Sequence, residues 1–265
     1  MRAVPPRLRL MQRCQNVTTY LALLVLMAAC GCGRPAQDTL ARPKDLALQS
    51  DDGLRLAATL YTARGPNPPG LVLVHMLGSD RHGWHTFALR AQRDGYTCLA
   101  IDLRGHGDSA AQNSGRLTYR NFNRDDWLAT LKDIDAAKRA LVDSGADPDD
   151  LGVAGASIGA NLALHYALKH SDIQCVILIS PGIDYKGIGT ETELVAYGNR
   201  PVLLLTAQGD AYSAASCTTL KKNAPGLCEL REYPGTAHGT DLFAASTNAA
   251  EQILLWLKPI IGLER

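Results

Sequence analysis

The 265-residue chain carries 27 Lys and Arg against 26 Asp and Glu, a formal net charge of +1, with 46% hydrophobic and 20% charged residues. That length suits one large α/β domain with a sizeable core, or two small ones, and the charge balance argues against nucleic acid or a strongly charged substrate as partner. The charge is unevenly placed: the first 29 residues hold Arg2, Arg7, Arg9 and Arg13 and no acid, leaving 23 basic against 26 acidic residues, net −3, in the remainder.

Taken in order, the chain opens on an address. The four arginines precede an apolar segment, Tyr20 to Ala29, and small residues around Cys30, the layout of a secretory signal over 1–29. A membrane span takes about 20 apolar residues, roughly twice this run. Arg34 to Pro43 is polar and holds two prolines, so 30–43 reads as a tether and 44–265 as the folded domain. Lys44–Ser50 and Leu54–Thr62 are alternating runs around Asp51-Asp52-Gly53, a hairpin signal. Leu71–His75 is a continuous apolar strand, and an amphipathic helix over Trp84–Asp94 stops at Gly95. Strand Tyr96–Asp102 runs into Asp102-Leu103-Arg104-Gly105-His106-Gly107-Asp108-Ser109, and a helix over Arg124–Ser144 closes at Gly145. After a strand from Leu151 and a helix to Leu168 come strands Ile173–Ser180 and Val202–Thr206, helix Ser213–Lys222, strand Leu227–Tyr233 and a last helix, Leu242–Ile261. Strands alternating with helices of 10–15 residues specify βαβ units and a mostly parallel sheet.

Seven cysteines are present. Cys98 and Cys175 sit inside apolar strand runs and read as small buried hydrophobes. Cys217 and Cys228 flank a Pro-Gly turn and, in an oxidising compartment, are the pair available for a disulfide. No cysteine pair has zinc spacing, and His82 and His85 lack an evident third ligand, so no metal site is read.

The stretch that carries chemistry is Leu151–Ala167. A short apolar run meets Gly155-Ala156-Ser157-Ile158-Gly159, and Ala and Leu follow at helical spacing. This strand, turn and helix with a serine at the apex resembles the Gly-x-Ser-x-Gly nucleophile elbow of the α/β-hydrolase family. The pentapeptide alone is a weak signal, and its partners decide the reading. Acyl transfer from serine needs a base, an acid to orient the base, and donors for the oxyanion. In open α/β sheets such groups lie just past the carboxyl ends of strands. After the last strand comes His238, in a Gly-flanked loop; after Val202–Thr206 comes Asp210. Their order with Ser157 is the order of the family. Asp184, after the preceding strand, is the competing acid, and a turn or helix N-cap is the alternative role for either aspartate.

The resemblance extends over about Lys44 to Ile261. It implies one α/β-hydrolase domain: a mostly parallel sheet of about eight strands, helices on both faces, and no metal or organic cofactor. It further implies oxyanion donors on the backbone of Ile158 and, since His75-Met76-Leu77-Gly78 resembles the family's His-Gly-x-Gly loop, on that of Leu77. Met76 stands where the family has glycine, a strained choice if that position needs positive φ. Asp102–Ser109 resembles another family signature and reads as structural, with Asp102 and His106 outside the triad. About 20 residues separate Pro181 from Pro201, too few for a long lipase-type cap.

Leu26-Met27-Ala28-Ala29-Cys30 resembles a bacterial lipobox, which implies lipid on Cys30 and a place in the cell envelope, the outer membrane favoured by Gly31. The expected function is hydrolysis of a small-molecule carboxylic ester through a Ser157 acyl-enzyme, with membrane contact through the anchor alone. A peptidase or amidase with the same triad, and a non-catalytic binding protein on the same fold, are the alternatives. Nothing in the sequence sets an oligomeric state.

Overall fold

The computed structural model describes residues 40–262. Eight strands form one sheet: β1 (Lys44–Gln49), β2 (Arg55–Tyr61), β3 (Gly70–Val74), β4 (Thr97–Ile101), β5 (Leu151–Ala156), β6 (Ile173–Ile179), β7 (Val202–Ala207) and β8 (Cys228–Tyr233). Their spatial order is β1-β2-β4-β3-β5-β6-β7-β8. β2 pairs antiparallel with β1 and with β4, and every later pairing is parallel. The expected α/β-hydrolase fold is the one observed.

Burial follows from position in this order. β3, β4, β5 and β7 are buried throughout, as uninterrupted apolar runs demand of strands covered on both faces. The edges differ: β1 exposes Lys44, Asp45 and Gln49, and β8 carries Glu229, Arg231 and Glu232, charges that discourage edge-to-edge pairing. Successive strand residues serve opposite faces. Val72 and Val74 join one core with Trp127, Ile134, Leu162 and Tyr166. Leu71 and Leu73 join the other, with Trp84, Phe87, Trp256 and Leu257. The first face is covered by α2 (Arg124–Ala129), α3 (Leu131–Asp143), α4 (Ile158–Lys169), α5 (Glu191–Tyr197) and α6 (Ala211–Asn223). The second is covered by α1 (His85–Arg93) and α7 (Ala249–Ile261).

Three local departures from the sequence reading have physical causes. The helix expected over Arg124–Ser144 breaks at Thr130, whose hydroxyl and N–H both bond the Trp127 carbonyl, at 2.7 and 3.1 Å, and so tighten the turn. The last helix is interrupted after a short turn, Leu242–Ala245, where the Ser246 hydroxyl donates to Asn248 Oδ1 at 2.8 Å. Cys217 and Cys228 are not bridged: both are buried free thiols in the first core, packed as small hydrophobes, and burial raises the pKa of each, that of Cys228 to about 11. The expected disulfide is therefore corrected.

The Asp102–Ser109 segment is structural, as expected. Asp102 is fully buried and accepts from the Arg81 N–H at 2.6 Å, from Arg81 Nη1 at 2.5 Å and from the Asp108 N–H at 2.9 Å. Gly107, at φ +45°, has no room for a Cβ beside that carboxylate. Arg104 in turn binds buried Asp133 and Asp52. His106 stacks on Tyr119 at 3.9 Å, and burial lowers its pKa to about 4.

Candidate active site

The elbow is built by steric exclusion. Ser157 sits at φ 55° and ψ −125°, a conformation L-residues avoid, between the end of β5 and the first turn of α4. A Cβ on Gly155 would land on the Gly159 backbone, and one on Gly159 would land on the carbonyls of Val74 and His75. The two glycines let strand and helix cross at contact and leave the serine no other place. Gly159→Ala is accordingly expected to destabilise the fold by about 3 kcal/mol or more, since the clashing atoms are backbone. Urea unfolding measures this, and a loss under about 1 kcal/mol would contradict the close approach.

Asp210 and His238 meet because their loops are zipped together. The Gln208 N–H donates to the Tyr233 carbonyl and the Gly209 N–H to the Gly235 carbonyl, both at 2.8 Å. Gly209 passes so close that a Cβ would lie 2.7 Å from Thr236 Cγ2. His238 Nδ1 then stands 2.7 Å from Asp210 Oδ2. Asp210 heads α6 but makes no side-chain cap bond, so its carboxylate serves the histidine and not the helix. Asp184 is elsewhere: it is exposed, and its Oδ1 accepts from the Gly187 N–H at 2.9 Å within a turn. His238 lies beside the elbow through its neighbour Gly239, whose N–H donates to Ser180 Oγ at 3.0 Å and whose Cα side abuts Met76 and Ala156. Ser180 is itself held at φ 49°.

Of the two oxyanion positions, Ile158 is the first residue of α4, where backbone N–H groups lack helical acceptors. Leu77 lies on the neighbouring loop, closed by a Ser79 N–H to Met76 carbonyl bond at 3.2 Å and by Gly78 at φ +74°. Met76 is not among the residues of positive φ, and its sulfur packs against Gly239, so methionine is accommodated there without strain. His75 braces the loop from below. Its Nε2 accepts from the Leu103 N–H at 3.1 Å, which places the ring proton on Nδ1, bonded to the Met76 carbonyl at 2.8 Å. Burial lowers its pKa to about 4, so it stays neutral.

One wall was missed by sequence reasoning. Pro181–Thr190 forms a small hairpin, Asp184–Tyr185 paired with Ile188–Gly189, beside the serine. Asn161 Nδ2 donates to the Gly182 and Ile188 carbonyls, at 3.0 and 2.7 Å, and its Oδ1 accepts from the Gly182 N–H. Tyr212 bonds the backbone of Asp184 through its hydroxyl, and Ser216 accepts from the Ile183 N–H. Gly182 and Gly187 around Tyr185 were the available signal. His82 pairs with Asp80 and His85 with Tyr61, and among the described residues no group of three His, Cys, Asp or Glu side chains is arranged to hold a metal. A groove of about 620 Å³ lined by Gln174, Pro201, Leu227 and Leu255 lies at the amino ends of β6–β8, away from these loops.

A serine elbow with an Asp–His pair at the carboxyl ends of a β1-β2-β4-β3-β5-β6-β7-β8 sheet defines a hydrolase framework. Residues 71–257 match the model of the alpha/beta hydrolase family, and the chain belongs to that family. It is 30% identical over 154 residues to the quorum-quenching protein AidA of Acinetobacter baumannii, covering 57% of this chain and 48% of AidA. It is 26% identical over 132 residues to the thermostable monoacylglycerol lipase of a Bacillus species, covering 50% and 47%. The chain thus spans about half the length of these relatives. A Pyrococcus furiosus esterase, Pf2001, superposes with a TM-score of 0.64 at 17% identity over 83% of this chain and 93% of its own, a likeness of fold.

Proposed function

We propose that the protein hydrolyses carboxylic esters through an acyl-enzyme on Ser157. The observation that carries the reading is the Asp210–His238 pair, at 2.7 Å, assembled beside a serine held at positive φ. With Nδ1 committed to Asp210, His238 has Nε2 available to take the Ser157 proton as Oγ attacks the acyl carbon. The same nitrogen returns that proton to the departing alcohol oxygen. The backbone N–H groups of Ile158 and Leu77 hold the oxyanion. Water then repeats the sequence on the acyl-enzyme. Only the small Pro181–Thr190 hairpin and α5 stand between β6 and β7, so the cleft suits small esters entering from solvent. A fluorophosphonate probe is expected to label Ser157, and a matched panel is expected to show esters cleaved and amides left intact. Absence of label, or faster amide cleavage, would overturn the reading.

Export with lipid on Cys30 completes this proposal. It rests on the residues around the cysteine, which lies outside the described region. Each buried acyl CH₂ adds about 0.8 kcal/mol, and stable attachment takes more than one chain. Metabolic labelling with an alkyne fatty acid is expected to mark the wild type and not Cys30→Ala; equal labelling would place the anchor elsewhere.

A further inference from the structure

The geometry points to Ser180 as a positioning residue that sets His238 against Ser157 for proton transfer. The inference rests on the reading of Ser157 as nucleophile and His238 as base. The Ser180 hydroxyl acts on the backbone beside the base and not on the reacting atoms.

Four bonds converge on two consecutive residues at the end of β6. The Ser157 N–H donates to the Ile179 carbonyl at 2.8 Å, which fixes the nucleophile's backbone. One residue on, the Ser180 N–H donates to the Leu205 carbonyl at 2.7 Å, in the strand that leads to Asp210. The Ser180 carbonyl accepts from Ser213 Oγ at 3.3 Å, on the helix that Asp210 heads. Ser180 Oγ accepts from the Gly239 N–H at 3.0 Å, one residue past His238. Nucleophile, acid and base thus share one bracket. Ser180 is fully buried and stands at φ 49°, where a non-glycine residue is uncommon. Such backbone strain persists where surrounding bonds over-determine it, and here those bonds run to the catalytic loops.

The strap that carries His238 is pinned at two points. The first pin is the Gly209 N–H to Gly235 carbonyl bond, at 2.8 Å, which joins the strap to the acid's loop. It brings His238 to Asp210 but sets no distance to Ser157. The second pin is the Gly239–Ser180 bond, which ties the base to the residue adjoining the nucleophile's own anchor, Ile179. Gly239 is buried at φ 57°, and a Cβ there would lie 2.7 Å from Met76 Sδ, so the strap has no slack on that side. A buried N–H without an acceptor is costly. Loss of Ser180 Oγ therefore shifts the strap, and with it the reach from His238 Nε2 to the serine.

The test compares wild type with Ser180→Ala and Ser180→Gly. Both remove the acceptor, but glycine also relieves the positive φ, so it remains measurable even if alanine fails to fold. With p-nitrophenyl butyrate, kcat is expected to fall more than about tenfold in each folded variant, since a misplacement of about 1 Å costs up to about 10²-fold. KM should stay within about twofold, because the base serves acylation and deacylation alike and the Ser180 hydroxyl holds no substrate group. The rate of fluorophosphonate labelling at Ser157 should fall in step with kcat. Tm should be at least as high for Ser180→Gly as for Ser180→Ala, with no recovery of activity. A serine that serves only packing or backbone shape predicts the reverse: wild-type kcat in the glycine variant, or activity that follows Tm. Either result, a loss in kcat under about tenfold, or a raised KM in its place, overturns the proposal. Wild type and both variants labelled equally fast sinks the role of Ser180 alone, whereas no label on wild type sinks the nucleophile and this proposal together.

Discussion

Ser157→Ala is expected to leave a folded protein with no measurable turnover of p-nitrophenyl acetate. The loss should be on the order of 10⁶ in kcat, because His238 then has no hydroxyl to activate and Asp210 no imidazolium to stabilise. Alanine suits the comparison: it removes one oxygen from a residue that is 6% exposed and leaves the backbone bond from the Ser157 N–H to the Ile179 carbonyl in place. Some gain in stability is expected at the same time, since a hydroxyl held ready for chemistry contributes little to packing. The measurement is steady-state hydrolysis with circular dichroism as the control. More than a few per cent of wild-type activity, with an unchanged spectrum, would remove Ser157 from the chemistry.

The second large effect separates two aspartates. Asp210→Asn is expected to cost about 10⁴ in kcat, because an amide facing His238 Nδ1 turns the imidazole toward the wrong tautomer while leaving its position intact. Asp184→Asn is expected to be close to wild type: the amide oxygen retains an acceptor for the Gly187 N–H, and the group faces solvent. A crippled Asp184 variant beside an active Asp210 variant would reverse the assignment.

Much of this was legible in the sequence, for reasons that differ by residue. The sheet could be read because β3, β5 and β7 are buried on both faces, and burial on both faces leaves an unbroken apolar run with nothing else to explain it. Gly155 and Gly159 could be read because a side chain at either position would overlap backbone, a demand visible in any single chain. The choice between Asp210 and Asp184 was legible only as a preference. Both follow a strand; what decides is the Gly209–Gly235 contact between loops 26 residues apart, which no local pattern encodes. The thiols misled for a similar reason: turn spacing and compartment describe a bridge, whereas packing against the first core describes two buried hydrophobes. The Pro181–Thr190 hairpin was missed because its two-residue strands are too short to show a period, and its placement depends on Asn161, Tyr212 and Ser213 from two separate helices. The break at Thr130 depends on one side-chain hydroxyl competing for a backbone carbonyl.

The pairing of Arg81 with buried Asp102 bears on how the protein meets its substrate. Arg81 follows Leu77 by four residues, and its guanidinium and N–H are fastened to a carboxylate at the end of β4, with Asp108 and Thr59 completing the shell. The loop that would face a developing negative charge is thus set by long-range ionic contacts formed during folding, before any ligand arrives. Its ordering entropy belongs to the folding transition and is not subtracted from binding. Heating should therefore extinguish turnover along the same curve that reports loss of tertiary structure, with no earlier phase in which an intact sheet carries a slack loop.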